Sequence, residues 1–212
     1  VCEDARKVVN VPLINAGTHN PESALELIES GNVDFVSFGR ALIADPMMPK
    51  KLMKNHREDV RPCLRCNEYC IGRIWNHHTK LGCAVNPQAM EEVRFKLEKT
   101  EDPQNVVVIG AGPGGGIAGL EAARVAAIKG HHVTLFEKED HLGGTMGDIC
   151  TAKFKTNIKQ LTKWYQVQLE KLPIDIHLNT TITGDEEILK TCDYIIVSTG
   201  ALPFTPAIPG ID

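Results

Sequence analysis

Residues 105–138, NVVVIGAGPGGGIAGLEAARVAAIKGHHVTLFEK, decide the fold. Val106–Ile109 is a short apolar, β-branched run, the composition of a strand buried on both faces. A glycine-rich turn follows, then Leu120–Ile128, which is alanine-rich and predicts a helix, then Val133–Phe136, which predicts a strand ending at Glu137. Strand, helix and strand in this order make a parallel βαβ unit. Gly110, Gly112 and Gly115 match G-x-G-x-x-G directly after the first strand. In such a turn the first glycine permits the tight bend, the second lets backbone approach a pyrophosphate, and amides at the helix start lend it positive charge. The spacing alone is a weak signal that a merely tight turn would also satisfy. The flanking strand and helix strengthen the dinucleotide reading, as does Glu137, placed to accept hydrogen bonds from an adenosine ribose. An acidic residue there fits an unphosphorylated ribose, as in FAD or NAD.

Toward the carboxyl end, Phe154, Ile158, Leu161, Tyr165, Gln168 and Leu172 recur at helical spacing, with Gln168 at the edge of the stripe. Ile174–Leu178 alternates as a strand does, and Asp193–Ser198 reads as another buried strand running into Thr199-Gly200-Ala201. Toward the amino end, Val11–Ala16 predicts a buried parallel strand and Gly17-Thr18-His19 a turn. Asn20 and Pro21 predict the cap and first position of a helix that stops at Gly31, and Asp34–Phe38 predicts a second strand leading into Gly39-Arg40. The opening at Val1 reads as a cut, so the chain is expected to be an internal piece of a longer protein.

Residues 46–103 show little strand pattern and place Pro46, Pro49, Pro62, Pro87 and Pro103 around four cysteines, as an irregular segment organised by a metal would. Cys63, Cys66, Cys70 and Cys83 are spaced C-x2-C-x3-C-x12-C. Three close cysteines can wrap three corners of an iron-sulfur cubane while a distant fourth closes it. Zinc more often takes two C-x2-C pairs, and it stays open as the alternative, with no metal as the third. His77 and His78 are alternative ligands. Arg61, Arg65 and Arg73 either favour a reduced cluster or are solvated surface charges. Cys2, Cys150 and Cys192 read as ordinary small buried residues.

With 23 basic against 27 acidic residues, the chain has a net charge of −4 and no basic patch, which argues against a nucleic-acid partner. No apolar run approaches the roughly 18 residues of a membrane span, and the opening lacks the pattern of a secretory signal. A cytoplasmic location is expected.

The order of parts resembles the iron-sulfur branch of the Old Yellow Enzyme family, the NADH:flavin oxidoreductases related to 2,4-dienoyl-CoA reductase, 2-enoate reductase and trimethylamine dehydrogenase. VPLINAG and DFVSFGRALIADP look like its last two barrel strands and FMN phosphate loop, RPCLRCNEYC with GCAVNP like its cluster segment, and GAGPGGGIAGLEAARVAAIKGHHVTLFEK, LGG and STGALPFTPAIPG like its FAD domain. The resemblance implies an α/β chain in three parts. Residues 1–50 would be the carboxyl-terminal strands of a (β/α)8 FMN barrel, residues 51–103 an irregular iron-sulfur segment, and residues 104–212 a partial Rossmann-like FAD-binding domain. It implies that Cys63, Cys66, Cys70 and Cys83 ligate a [4Fe-4S] cluster, and that Gly17, Gly39 and Arg40 hold the FMN phosphate. Gly110 and Gly112 would lie under the FAD pyrophosphate. Glu137, followed by Lys138, would take the ribose, and Gly144 and Gly200 would pack along the flavin. The family usually reads G-x-G-P-A-G-L-E-A-A, so Gly114–Ile117 looks like an insertion, and either Gly115 or Gly119 is the third motif glycine. The implied activity is NADH-dependent reduction of an activated carbon-carbon double bond in an enoate or enoyl-CoA, with electrons passing from FAD through the cluster to FMN. Amine oxidation is a sister reading, and a stand-alone electron-transfer or nucleotide-binding module is a rival one. A homo-oligomer fits the family. No catalytic acid is identified in this chain, which is expected to be inactive by itself.

Overall fold

The computed structural model describes residues 1–212 apart from Val1, Thr18, 113–116, Thr145, 153–154, 202–203, Thr205, Pro209 and 211–212. The chain is α/β with parallel sheets and forms two compact units, residues 1–96 and 97–212.

The first unit runs α1 (Cys2–Val8), β1 (Ile14–Gly17), α2 (Pro21–Glu29), β2 (Phe35–Phe38), α3 (Arg40–Ala44), α4 (Met48–Met53) and α5 (Arg73–His77). β1 and β2 pair in parallel, with Ile14 opposite Phe35 and Gly17 opposite Phe38. At the start of α2 the Asn20 carboxamide accepts from the Ser23 amide at 2.8 Å and the Ser23 hydroxyl accepts from the Asn20 amide at 3.1 Å. This reciprocal cap, with Pro21 next to it, is worth about 1 kcal/mol. Gly31, at φ +71°, ends the helix in the left-handed region.

Several expectations change here. β1 starts at Ile14 rather than Val11, because Leu13 is held by Asp34, whose carboxylate accepts the Leu13 amide at 2.7 Å. The two strands are not buried: Ile14 is 66% and Phe35 58% exposed, since the sheet has two strands and its side chains are only partly covered within this chain. The short helices α1, α3 and α4 were not anticipated. Pro49, read as a breaker, sits in the first turn of α4, where its missing amide hydrogen costs nothing. Between α4 and residue 104 the described residues form no strand, only a 3-10 turn at Arg57–Asp59, a π-helical turn at Glu68–Gly72, and α5. Cys2, Cys150 and Cys192 are half-buried rather than buried, each at or near a helix end.

The second unit holds β3 (Asn105–Ile109), α6 (Ala118–Ile128), β4 (His132–Phe136), α7 (Met146–Ile149), α8 (Thr156–Glu170), β5 (Ile174–His177), α9 (Glu187–Thr191) and β6 (Tyr194–Val197). Its sheet order is β5-β4-β3-β6, all parallel. Central β3 carries Val107 and Val108, both essentially inaccessible, as a parallel strand covered on both faces requires. α6 packs on α8. The buried stripe of α8 is Leu161, Trp164, Tyr165 and Leu169; Trp164 and Leu169 were not in the sequence reading, and Phe154 lies outside the described residues. Against that stripe sits a buried ion pair, in which Arg124 donates twice to the Glu121 carboxylate at 2.9 and 2.8 Å while lying 5.5 Å from the Trp164 ring centre. β6 is an edge strand paired only with β3, so Tyr194 is 60% and Val197 68% exposed, contrary to the buried strand expected.

The turn before α9 carries a pH-sensitive carboxylate cap that closes the turn itself and makes no side-chain capping bond to the helix. The Glu186 carboxylate accepts from the Thr183 amide at 2.7 Å, the Gly184 amide at 2.8 Å and the Thr183 hydroxyl at 2.9 Å. These donors, the Thr183 amide foremost, hold its pKa down from 4.5 to about 2. The lowered value means that the cap contributes fully above pH 4.5 and is lost as pH falls toward 2. A carboxyl-detected NMR titration should place the Glu186 midpoint near that low value; a midpoint close to 4.5 would show that the cap does not form in solution.

Candidate metal centre and nucleotide cradle

The cysteine segment is anchored at both ends by one buried polar network. Asp45, at the end of α3, accepts from the Lys51 ammonium at 2.6 Å, the Arg61 amide at 2.9 Å and the Met47 amide at 3.0 Å. The Arg61 guanidinium, 7% exposed, donates to the Val85 carbonyl at 2.5 Å, and the Asn86 carboxamide donates to the Ile43 carbonyl at 2.9 Å. Arg61, two residues before Cys63, and Val85 and Asn86, two and three residues after Cys83, are thereby tied to the same helix end. The Gly82 amide, donating to the Tyr69 carbonyl at 2.8 Å, ties the fourth cysteine to the third.

Within this frame Cys63, Cys66, Cys70 and Cys83 line one cavity together with Ile43, Leu64 and Val85. Arg65 and Asn67 both take left-handed backbone, at φ +59° and +61°, and so turn the chain sharply around Cys66. Burial pushes the Cys83 thiol up, the Val85 and Asn86 amides directed at it pull it down, and charge on Cys63 and Cys66 pushes it up again. Cys83 thus has amide donors of the kind that support a metal-bound thiolate. Of the three arginines, Arg61 is a buried strut, neither a free cation nor a solvated charge. Arg73 lies 5.2 Å from the Tyr69 ring centre, and the Arg65 backbone amide donates to Cys63 Sγ at 3.4 Å. His77 and His78 are exposed and do not line the cavity.

Gly17 ends β1 opposite Phe38 and Gly39 directly follows β2, so both lie at the carboxyl ends of two adjacent parallel strands. Arg40 follows at the first position of α3, with its guanidinium bonded to the Asn67 carboxamide oxygen.

In the second unit the glycine turn is built against β6. Gly110 has φ +97°, and a β-carbon there would lie 2.4 Å from the Ser198 carbonyl oxygen. Gly119 is tighter: its β-carbon would stand 2.0 Å from the Gly110 carbonyl oxygen and 2.3 Å from the Ser198 hydroxyl. Gly119 thus makes the close helix-to-strand approach, whereas Gly115 lies outside the described residues, as does most of the insertion Gly114–Ile117. Glu137 is 4% exposed, and its carboxylate accepts from the Ala111 amide at 2.7 Å and the Glu139 amide at 3.0 Å. It sits directly under the turn and braces it, and its two carboxylate oxygens have lone pairs beyond those two bonds. Lys138 points to solvent and pairs with Glu139 at 3.4 Å. Gly143 and Gly144 pack on the turn: the Gly143 amide donates to the Ala111 carbonyl at 2.8 Å, and a β-carbon on Gly112 would lie 3.3 Å from the Gly144 α-carbon. Gly200, at φ +80°, turns the chain after β6. Asp45, Asn67, Asn86 and Ser198 were not singled out from the sequence; Asn86 lies inside the CAVNP stretch that follows the fourth cysteine.

Comparison with known proteins covers both units. The NADH:flavin oxidoreductase / NADH oxidase family matches residues 2–59, and the pyridine nucleotide-disulphide oxidoreductase family matches residues 78–187 and 104–212. The cinnamate reductase of Clostridium sporogenes is 41% identical over 99% of this chain, and the NADH oxidase of Thermoanaerobacter brockii is 37% identical over all of it. The chain spans about a third of these relatives, 31% and 32% of their lengths. A solved structure of a 2-naphthoyl-CoA reductase complex superposes with a TM-score of 0.86 at 31% identity, over 98% of this chain and 31% of that one. The two matches on one chain, in this order, establish that it belongs to the flavin oxidoreductases of the 2,4-dienoyl-CoA reductase-like family.

Proposed function

We propose that the chain is the part of an NADH-dependent ene-reductase that holds its iron-sulfur cluster and portions of two flavin sites. The observation that carries this reading is the convergence of Cys63, Cys66, Cys70 and Cys83 on one cavity with amide donors aimed at Cys83. An all-sulfur donor set in a largely apolar cavity suits a [4Fe-4S] cluster, which those four thiolates would hold. Residues 1–50 would belong to an FMN barrel, residues 51–103 to the cluster segment and residues 104–212 to a Rossmann-like FAD domain. Amides at Gly17 and Gly39 would receive the FMN phosphate. Gly110 and Gly112 would approach the FAD pyrophosphate, Glu137 would accept from the ribose hydroxyls, and Gly144 and Gly200 would lie along the flavin. When bound, the flavins supply hydride transfer and the cluster supplies single-electron transfer between them. An enoate or enoyl-CoA substrate fits the relatives that act on cinnamate and 2-naphthoyl-CoA.

The test is an anaerobic absorption spectrum of the reconstituted chain with iron, sulfide and zinc analysis, beside Cys66→Ser. The expected result is a broad band near about 400 nm that bleaches with dithionite, roughly four irons per chain, and loss of most of both in the variant. One zinc per chain and no colour would sink the electron-transfer reading and leave the nucleotide cradle standing.

A further inference from the structure

The family resemblance implies a phosphate for Arg40, and its guanidinium is bonded to the cysteine segment. Its Nη1 donates to Asn67 Oδ1, and the residue lines the same cavity as the four cysteines. Asn67 stands between Cys66 and Cys70 in left-handed backbone, and its carbonyl accepts from the Gly72 amide at 2.7 Å. The turn that carries Cys70 therefore hangs on the conformation of Asn67. Left-handed backbone is disfavoured for residues with a β-carbon, less so for asparagine, so a chain free to relax would leave it part of the time. A tether on the Asn67 side chain from outside the turn restrains it.

We propose that Arg40 is a positioning residue of the cysteine site. Its hydrogen bond to Asn67 holds the Cys66–Cys70 turn in metal-ready form and joins that turn to the loop after β2. A guanidinium has five donors, so one bond to Asn67 leaves others for an anion at Gly39, and the two duties are compatible. The metal in this statement rests on the proposed function, but the tether exists without metal and is measured without it.

The experiment is peptide-resolved alkylation of the reduced, metal-free chain by iodoacetamide under anaerobic conditions, comparing wild type with Arg40→Ala, Asn67→Ala and the double variant. Cys192, in the other unit, serves as internal reference. Each single variant should alkylate faster at the half-buried Cys70 by about three- to ten-fold, the range for losing one ordinary hydrogen bond. The double variant should be no faster than the faster single, since both remove one tether. Loss of the Arg40 cation alone would disfavour thiolate and slow the reaction, so acceleration reports position rather than charge. Asn67→Asp, which keeps an acceptor for Arg40, should stay near the wild-type rate. Unchanged rates in the single variants, or single effects that multiply in the double, would overturn the proposal. Should the wild-type chain take up no iron, the metal reading falls while the alkylation result still judges Arg40. Should iron bind normally and alkylation stay flat, Arg40 alone is refuted.

Discussion

Gly119→Ala is expected to destabilise the second unit by roughly 3 kcal/mol or more, enough to unfold a marginal domain. The added carbon would stand 2.0 Å from the Gly110 carbonyl oxygen and 2.3 Å from the Ser198 hydroxyl. Neither can step aside cheaply. The first belongs to backbone directly after β3, and the second donates to the Ile109 carbonyl at 3.1 Å and the Gly110 carbonyl at 2.7 Å. Either α6 lifts from the sheet or the turn opens, and both outcomes dismantle the cradle over Glu137. Gly130→Ala is the control: that glycine has φ +90° with nothing within 4 Å of an added carbon, so it should cost only about 1 kcal/mol from backbone strain. Urea unfolding followed by the fluorescence of Trp164, which packs beside α6, separates the two. Equal midpoints for Gly119→Ala and wild type would mean that helix and strand do not approach as described.

The second large effect is at Arg61. Arg61→Met should cost about 2–4 kcal/mol in the first unit, because it leaves the Val85 carbonyl and the Asn86 carboxamide without their buried donor. It should also lower the iron retained per chain, since Val85 and Asn86 supply the amides that face Cys83. Arg65→Met, at an exposed position in the same segment, should change stability by less than about 0.5 kcal/mol. Circular dichroism melts of the two variants, with iron analysis after reconstitution, decide the matter. Two variants that behave alike would show that Arg61 is a surface charge and not a strut.

What could be read in advance follows a physical line. Apolar β-branched runs such as Val106–Ile109 specify a buried strand locally, and cysteine spacing states its chemistry without any fold. Asn20 with Pro21 is legible for the same reason, because a cap is satisfied within three residues. The misses concern properties that only neighbours confer. Asp193–Ser198 is as apolar as β3, yet order in the sheet leaves β6 at an edge, and no pattern within the segment records that. The role of Gly119 could not be separated from that of Gly115 by spacing, since the deciding contact comes from Ser198, far along the chain. Asp45 draws no notice in the sequence, and Arg61 reads only as a cation favouring a reduced cluster or as a solvated charge, because burial of a charge is tolerable only where distant partners meet it.

The pairing of β3 with β6 has a kinetic meaning. Gly110 meets Ser198 across 88 residues, and Val106 is in register with Tyr194. Contacts of such separation form only after the intervening chain has surrendered its loop entropy, which slows folding. The helix α6 and the parallel strand β4 that it leads into can organise early, but the wall against which the glycine turn is pressed arrives with the last strand of the sheet. A segment that looks in sequence like a self-contained nucleotide motif is thus assembled late, and translation must release β6 before the pocket it completes can take shape.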